Sequence, residues 1–505
     1  MLPRIARGAT ELKFIPGSDL SNVDPIWMTL TATRDHGYMV FDTLFATDAA
    51  LHVQPQMAQG IETSADGRVV TIRLRPGLRF HDNTPVLARD CVASIKRWAP
   101  RDALGRRLMA VTEALTAPED AVIRFDLKSP FPNLAYALGK PSTPVPFMMP
   151  ARIAEAAANG PFQEVVGSGP FRFVASEWVQ GSRAAYERFA GYVPREEAPS
   201  GTAGGKRVYL DRVVWTVIPD AATAAAALQT GEVDWYMAPT ADMLPTMERN
   251  RNIRIEPFDP LGFVPIGRMN QLQPPFNNPK VRQAFAAAVN QDDFMAAAVG
   301  DPRFYRSCKA FLPCGGPWSV ETPGLFSGDV AQGRRLLAES GYDNTPAVIL
   351  SASDFTVLTA CCAVANDVMQ KIGMKTDLQA IDVGGLMRRR MSQEPVSKGG
   401  WSLFVTTGGA IGNSNPSDFS WVQADGLASA PGWPTDAPLR AAITAFGEAS
   451  TDEARRRHAA EIEASAATAL PFIPLGQYQQ PTAYRTSLSG MVPAGVPLFW
   501  NLKKA

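Results

Sequence analysis

The chain has 505 residues, 46% of them hydrophobic and 19% charged, with 49 Lys+Arg against 49 Asp+Glu. That length exceeds one core and predicts two or more domains. Zero formal charge excludes a general attraction to nucleic acid or anionic membrane, and no apolar run reaches the ~18 residues of a bilayer span.

The N-terminus, MLPRIARGATELKFIPG, lacks the apolar core of a secretory signal. That leaves two readings open, a cytoplasmic protein or a chain whose signal has been removed. Further on, Val69–Phe80 alternates with period two after an Asp66-Gly67 turn and predicts a strand. A helix is predicted next, with Thr84 as cap, Pro85 in its first turn, and Val92 and Ile95 on its apolar face. His81-Asp82, between the two, reads as a solvated turn rather than a catalytic pair. Cys91 reads as a small buried residue.

Gly167-Ser168-Gly169 frames a hydroxyl with two glycines, followed by Pro170 and the strand-like FRFVASEW. A nucleophile elbow reads G-x-S-x-G and enters a helix, and a phosphate loop needs G-x-x-x-x-G-K-[ST]. Neither fits, so the segment predicts a tight turn. EEAPSGTAGGK, Glu196–Lys206, reads as a mobile loop.

Arg212–Ala238 predicts strand, helix and strand, with Asp220 as helix cap and Gly231 as stop. Pro346–Asp382 repeats the pattern, its helix stopping near Gly373 and holding Cys361 and Cys362 as buried thiols. Such units imply parallel strands joined by a crossover helix, one unit in each of two α/β lobes. Asn277–Phe294 predicts one helix capped by Asn278 with Pro279 at its start, and Asp329 and Gly341 bracket another. Cys308 and Cys314 stand six apart between turns, a spacing that permits a small disulfide-closed loop or two free thiols. Arg388–Arg390 reads as a solvated helix face.

Four histidines, His36, His52, His81 and His458, are scattered without metal spacing, and no H-E-x-x-H, C-x-x-C or G-x-G-x-x-G pattern occurs. The reading is therefore no metal, no cofactor and no catalytic set. Binding is favoured over turnover.

Five segments in order carry a resemblance: DGRVVTIRLRPGLRFHDNTPVLARDCVASIKR, VGSGPFRFVASEWVQGSRAAYERFAGY, VIPDAATAAAALQTGEVDW, PPFNNPKVRQAFAAAVN and AQGRRLLAESGY. Together they resemble family 5 of the extracellular solute-binding proteins, the dipeptide, oligopeptide and nickel-type receptors of ABC importers. The resemblance implies a type II two-lobed α/β fold that closes on a small solute about a two-segment hinge. It places the first lobe at residues 1–259 plus 481–505, with an inserted subdomain at about 41–166, and the second lobe at 260–480. It implies a monomeric, free periplasmic protein that hands its ligand to ABC permease subunits. It makes the Ser168 turn structural. A peptide-holding chaperone on the same fold and a hydrolase using Ser168 or His81 are the competing readings.

The resemblance also places a ligand set. Thr29 and Thr31 match a ligand-facing turn. Arg268 and Asn270 end a strand entering the second lobe. Thr406, Thr407, Gly408, Gly409, Asn413 and Asn415 match the segment around the family's amine clamp, and Tyr478 sits at the second crossing. Peptide-binding members clamp the α-amino group with an aspartate four residues before a proline. Here Pro416 is that proline, Gly412 holds the aspartate position and Asn415 replaces a second acid. SASDF, where dipeptide receptors carry an arginine, has no basic residue. Both charged ends of the zwitterion clamp are therefore missing, with Asp418 the one nearby acid.

Overall fold

A computed structural model describes residues 10–505. The chain forms two compact units, one ending at Pro260 and resumed over Gln480–Ala505, the other Leu261–Gln479. It crosses between them twice.

The first unit is built on a seven-stranded sheet in the order Phe171–Phe173, Arg183–Arg188, Arg212–Thr216, Glu11–Ile15, Trp235–Tyr236, Pro481–Arg485, Ile253–Pro257. The Arg212–Ala238 segment folds as strand, helix Ala221–Thr230 and strand. Asp220 caps the helix by accepting from Thr223 N at 2.8 Å, and Gly231 ends it at φ 82°. Its two strands are not neighbours, because Glu11–Ile15 lies between them and pairs parallel with both. The aromatic interior gathers Phe14, Trp215, Trp235 and Phe499, with Phe14 5.6, 4.8 and 5.0 Å from the other three rings.

A separate antiparallel sheet in the order Ala58–Thr63, Val69–Leu74, Val122–Leu127, Thr112–Glu119 carries helix Ala88–Trp98 on one face. The strand predicted to Phe80 stops at Leu74, where Pro76 and Gly77 (φ 82°) turn the chain. The helix starts later than predicted. Asp82 Oδ1 captures both the backbone N–H and the hydroxyl of Thr84, at 3.0 and 2.6 Å, so Thr84 closes a turn instead of capping. Asp90 serves the helix N-terminus, accepting from Leu87 N at 2.9 Å.

Buried ion pairs fix this unit. Arg97 donates to Asp24 at 2.6 Å, and Asp24 also accepts from Ile26, Trp27 and Phe162 N–H. Lys206 reaches Asp42 at 2.7 Å and lies over the Trp500 ring. That pair overturns the mobile-loop reading of Glu196–Lys206. Residues 201–206 are buried, and Thr202 Oγ1 donates to Thr47 O at 3.1 Å.

The glycine-framed serine is a turn pressed against helix Thr31–Val40. Gly169 N–H donates to Val40 O at 2.8 Å, and a Cβ on Gly169 would fall 2.6 Å from Met39 O. His81 is buried, not solvated, and pins the turn from below. Its Nε2–H donates to Gly169 O at 3.0 Å and its Nδ1 accepts from Gly167 N–H at 3.4 Å. Burial pulls this imidazole down to about 4 from 6.5. The unfolded chain therefore binds a proton between these values that the folded chain refuses, and His81's contribution is full above pH 6.5 and lost as pH falls toward 4. The stability difference between the protein and His81→Gln should shrink steadily over that window in urea titrations. A pH-independent difference would remove His81 as the cause.

The second unit has a mixed sheet in the order Tyr305–Arg306, Gln477–Tyr478, Phe263–Met269, Leu403–Gly409, Ala347–Ala352, Thr376–Ile381. Ala347–Ala352 and Thr376–Ile381 pair parallel, joined by helix Thr356–Ile372, which Gly373 ends at φ 101°. Cys361 and Cys362 are buried on it. The helix predicted over Asn277–Phe294 is two, Pro279–Ala288 and Gln291–Ala298. Asn278 caps the first, and Asn290 breaks the run by capping the second. Asp329 caps helix Val330–Glu339 through Gln332 N–H at 2.8 Å. In the Arg388–Arg390 run Arg388 is exposed, whereas Arg389 is half-buried and donates to Gln379 Oε1 and to the Gly399 and Gly400 carbonyls.

Cys308 and Cys314 are bridged, with Cα atoms 5.7 Å apart. Buried Glu463 holds the loop by accepting from Phe311 and Leu312 N–H at 2.8 and 2.9 Å. Burial pushes its carboxyl up to about 7.

Candidate functional site

Strand Leu403–Gly409 organises the second unit's candidate residues. It runs antiparallel to Phe263–Met269 with Phe263 opposite Gly409, Pro265 opposite Thr407 and Ile266 opposite Thr406. Period-two alternation puts Thr406 and Thr407 on opposite faces. Thr407 shares its face with Phe263 and Tyr478, whose rings stack at 5.5 Å and 21°. Burial pushes the Tyr478 phenol up to about 12, against the opposing pull of the Thr407 hydroxyl. Register aligns Tyr305, Tyr478, Phe263 and Gly409 in one row across four strands. Phe263 and Tyr305 were not among the predicted residues. The alternation of FVPIGRM carries Phe263's side, but nothing in the sequence shows that row.

Past the strand the chain turns twice. Asn413 folds its amide back, Nδ2 donating to Gly409 O at 2.9 Å. A Cβ on Gly408 would lie 2.6 Å from that nitrogen, so glycine there makes room for the Asn413 amide. Gly409 differs, because a Cβ there would meet nothing within 4 Å. Asn415 is buried, its Oδ1 accepting from Ser417 N at 2.9 Å to close a turn. Asp418 is half-buried three residues on. In SASDF, Asp354 Oδ1 accepts from Val383 N at 2.9 Å, and Phe355 is exposed.

Arg268 and Asn270 belong to the scaffold. Arg268 is 0% exposed, and its guanidinium donates to the carbonyls of Pro431, Trp421, Pro471 and Ala430 at 2.7, 2.8, 2.6 and 3.0 Å. Asn270 donates to Trp401 O at 3.0 Å and accepts from Leu272 N at 3.1 Å. Neither has its polar atoms turned to solvent, and all of Arg268's side-chain hydrogen bonds go to backbone carbonyls. Thr29 and Thr31 lie in the first unit, both exposed, at the start of helix Thr31–Val40.

The hydrolase reading fails on geometry. Ser168 is 3% exposed, and both ring nitrogens of His81 are spent on backbone. Among the described residues, one Cys/His/acid group has metal-like spacing, Cys308, Cys314 and Glu321, and its two sulfurs are joined in the disulfide.

Residues 52–429 match the model of the bacterial extracellular solute-binding proteins, family 5. The chain belongs to that family. A probable peptide ABC transporter periplasmic-binding protein of Sinorhizobium fredii is 35% identical over 96% of this chain and 92% of its own length. The glutathione-binding protein GsiB of Escherichia coli K12 is 26% identical over 76% of this chain and 72% of its own. Two solved structures share the fold. The putative peptide-binding protein AppA of Clostridium difficile has TM-score 0.81 at 19% identity, covering 98% of this chain and 100% of its own. AgaA of A. tumefaciens R10, in complex with agropinic acid, has TM-score 0.76 at 20% identity, covering 98% and 99%.

The family 5 protein is thus a substrate-binding component of an ABC importer and not an enzyme. Its place is extracellular or periplasmic, and its partners are a solute and the importer's permease. Among the described residues no helix is long and apolar enough to cross a membrane.

Proposed function

We propose that this protein is a monomeric periplasmic receptor for a polar, peptide-like solute that lacks the two free charged ends of an ordinary dipeptide. Its two units serve as the two lobes of the family. Thr406, Thr407, Gly408, Gly409, Asn413 and Asn415 mark the second lobe's ligand region with Tyr478, and Thr29 and Thr31 mark the first lobe's.

The observation that carries this is the neutral turn after strand Leu403–Gly409. By the family resemblance Gly412 holds the position of the amine-holding acid, and Asn413 spends its Nδ2 on the strand at Gly409 O. No cation occupies SASDF, and Arg268 is committed elsewhere. Burying an ammonium or carboxylate without a counter-charge costs several kcal/mol, roughly enough to abolish dipeptide capture. A modified peptide, an opine-like conjugate or an oligosaccharide suits such a surface. The names of similar proteins include agropinic acid and glutathione beside the ordinary dipeptide Met-Leu, so the fold itself does not choose among these classes.

Calorimetry against unblocked dipeptides, blocked peptides, sugar–amino acid conjugates and oligosaccharides tests the reading. Unblocked dipeptides should bind weakly or not at all. Gly412 lies outside the left-handed region, so aspartate is conformationally permitted there. Gly412→Asp should gain amine affinity of about tenfold or more. Sub-micromolar binding of several unblocked dipeptides, unchanged in Gly412→Asp, would show that another group, Asp418 first, holds the amine.

A further inference from the structure

Gly409 ends strand Leu403–Gly409 on the face that carries Phe263 and Tyr478. Neighbouring strands lie about 5 Å apart in the hydrogen-bonding direction. Tyr478 and Phe263 stand directly opposite each other, and their rings stack with planes 21° apart and centroids at 5.5 Å. Rings stacked across two strands turn their faces along that direction. The second face of Phe263 is therefore aimed at the next strand, where its partner is Gly409.

Gly409 puts no side chain against that face, and a Cβ there would meet no atom within 4 Å. The strand beyond it stops early. Ala347–Ala352 runs parallel with Ile349 level with Leu403 and Leu350 with Phe404, which sets its last residue level with Thr406, three short of Gly409. Phe263 and Gly409 are both half-buried and keep surface open to solvent. The backbone does not demand this glycine, because Gly409 lies outside the left-handed region and nothing crowds it, unlike Gly408. Glycine weakens a strand and commonly marks a close approach by a ligand or another backbone. What it supplies here is the space above it.

We propose that this space seats a flat ring of the solute, the third member of the Tyr478–Phe263 stack, and that Gly409 is the residue that selects for it. The proposal deepens the receptor reading above and rests on it. One strand spacing, about 5 Å, separates the seat from Phe263, inside the ~4.5–7 Å range of stacked rings. The ring needs an apolar face. The aromatic side chain of a blocked peptide offers one, and so does the C–H face of a pyranose. A branched aliphatic group fills the same space without a flat face and gains only its buried area.

The test uses the full-length protein and saturation-transfer NMR with three probes, N-acetyl-phenylalaninamide, methyl β-glucoside and N-acetyl-leucinamide. Ring protons of at least one of the first two should receive saturation, and which one does so names the source of the ring. N-acetyl-leucinamide should bind more weakly. Gly409→Leu should weaken the ring probe by about tenfold or more, because its side chain occupies the seat. Phe263→Leu should weaken it by about two- to tenfold, the worth of a stacked pair. The melting temperature of Gly409→Leu should match or exceed the parent's, since a Cβ there meets nothing. No transfer to either ring, equal transfer to the leucine probe, or ring binding undiminished in a folded Gly409→Leu would each overturn the seat, and the neutral-turn reading at Gly412 would stand. Sub-micromolar capture of unblocked Phe-containing dipeptides that Gly409→Leu abolishes would fail that reading and still support the seat.

Discussion

Gly167→Ala should destabilise the first unit by about 2–3 kcal/mol or more, the range of overpacking against rigid backbone. A Cβ at this position would fall on the carbonyl of Val40, with Phe41 close behind. That carbonyl cannot retreat, because it ends helix Thr31–Val40 and already accepts Gly169 N–H at 2.8 Å. Relief requires the turn to lift, and lifting it strips His81 of both backbone partners. An imidazole left buried without hydrogen bonds adds its own cost. The paired control is Ser168→Ala in the same turn. Ser168 Oγ is buried without a hydrogen-bond partner, so its removal should be neutral or slightly stabilising. Urea unfolding of both variants decides it. Equal effects would mean that the turn tolerates a side chain and that the glycines serve something else.

That contrast shows what was legible in the sequence. The turn character of Gly167–Pro170 follows from residue types, but its packing against Val40 joins residues more than a hundred positions apart. The helix caps Asp220, Asn278 and Asp329 were legible because capping is local, and so were the stops at Gly231 and Gly373. The insertion of Glu11–Ile15 between two consecutive strands was not, since strand order depends on tertiary partners. Buried charge misled most. His81, Lys206 and Arg268 look like surface residues in isolation, and only their partners, Gly169, Asp42 and four carbonyls, make burial tolerable. In the candidate site, Thr407, Gly409 and Asn413 came from family resemblance, whereas Phe263 entered through register with Gly409 and stacking on Tyr478.

Arg268→Met should be the most damaging single change in the second unit. The guanidinium joins the first strand of that unit to three stretches that do not pair with each other, at Trp421, at Ala430–Pro431 and at Pro471. Methionine fills part of the volume and supplies no donor, leaving four carbonyls without this partner at about 1–3 kcal/mol for each that stays buried. Some will find water, so the expected loss is about 4 kcal/mol, near the upper end for one substitution. Arg268→Lys should not rescue it, because an ammonium cannot match a planar fork aimed in three directions. Gly432 gives a second handle on the same clamp. It sits at φ 112°, and a Cβ there would lie 2.5 Å from Arg268 Nε, so Gly432→Ala should mimic the loss in part. The ligand-anchor reading of Arg268 makes a different prediction, weakened binding at unchanged stability. Thermal unfolding of Arg268→Met, Arg268→Lys and Gly432→Ala separates the two. Three parental melting temperatures with impaired ligand capture would return Arg268 to the ligand set. Lowered melting in all three, with ligand affinity intact below the transition, makes it the pin that holds the 421–433 segment against the sheet.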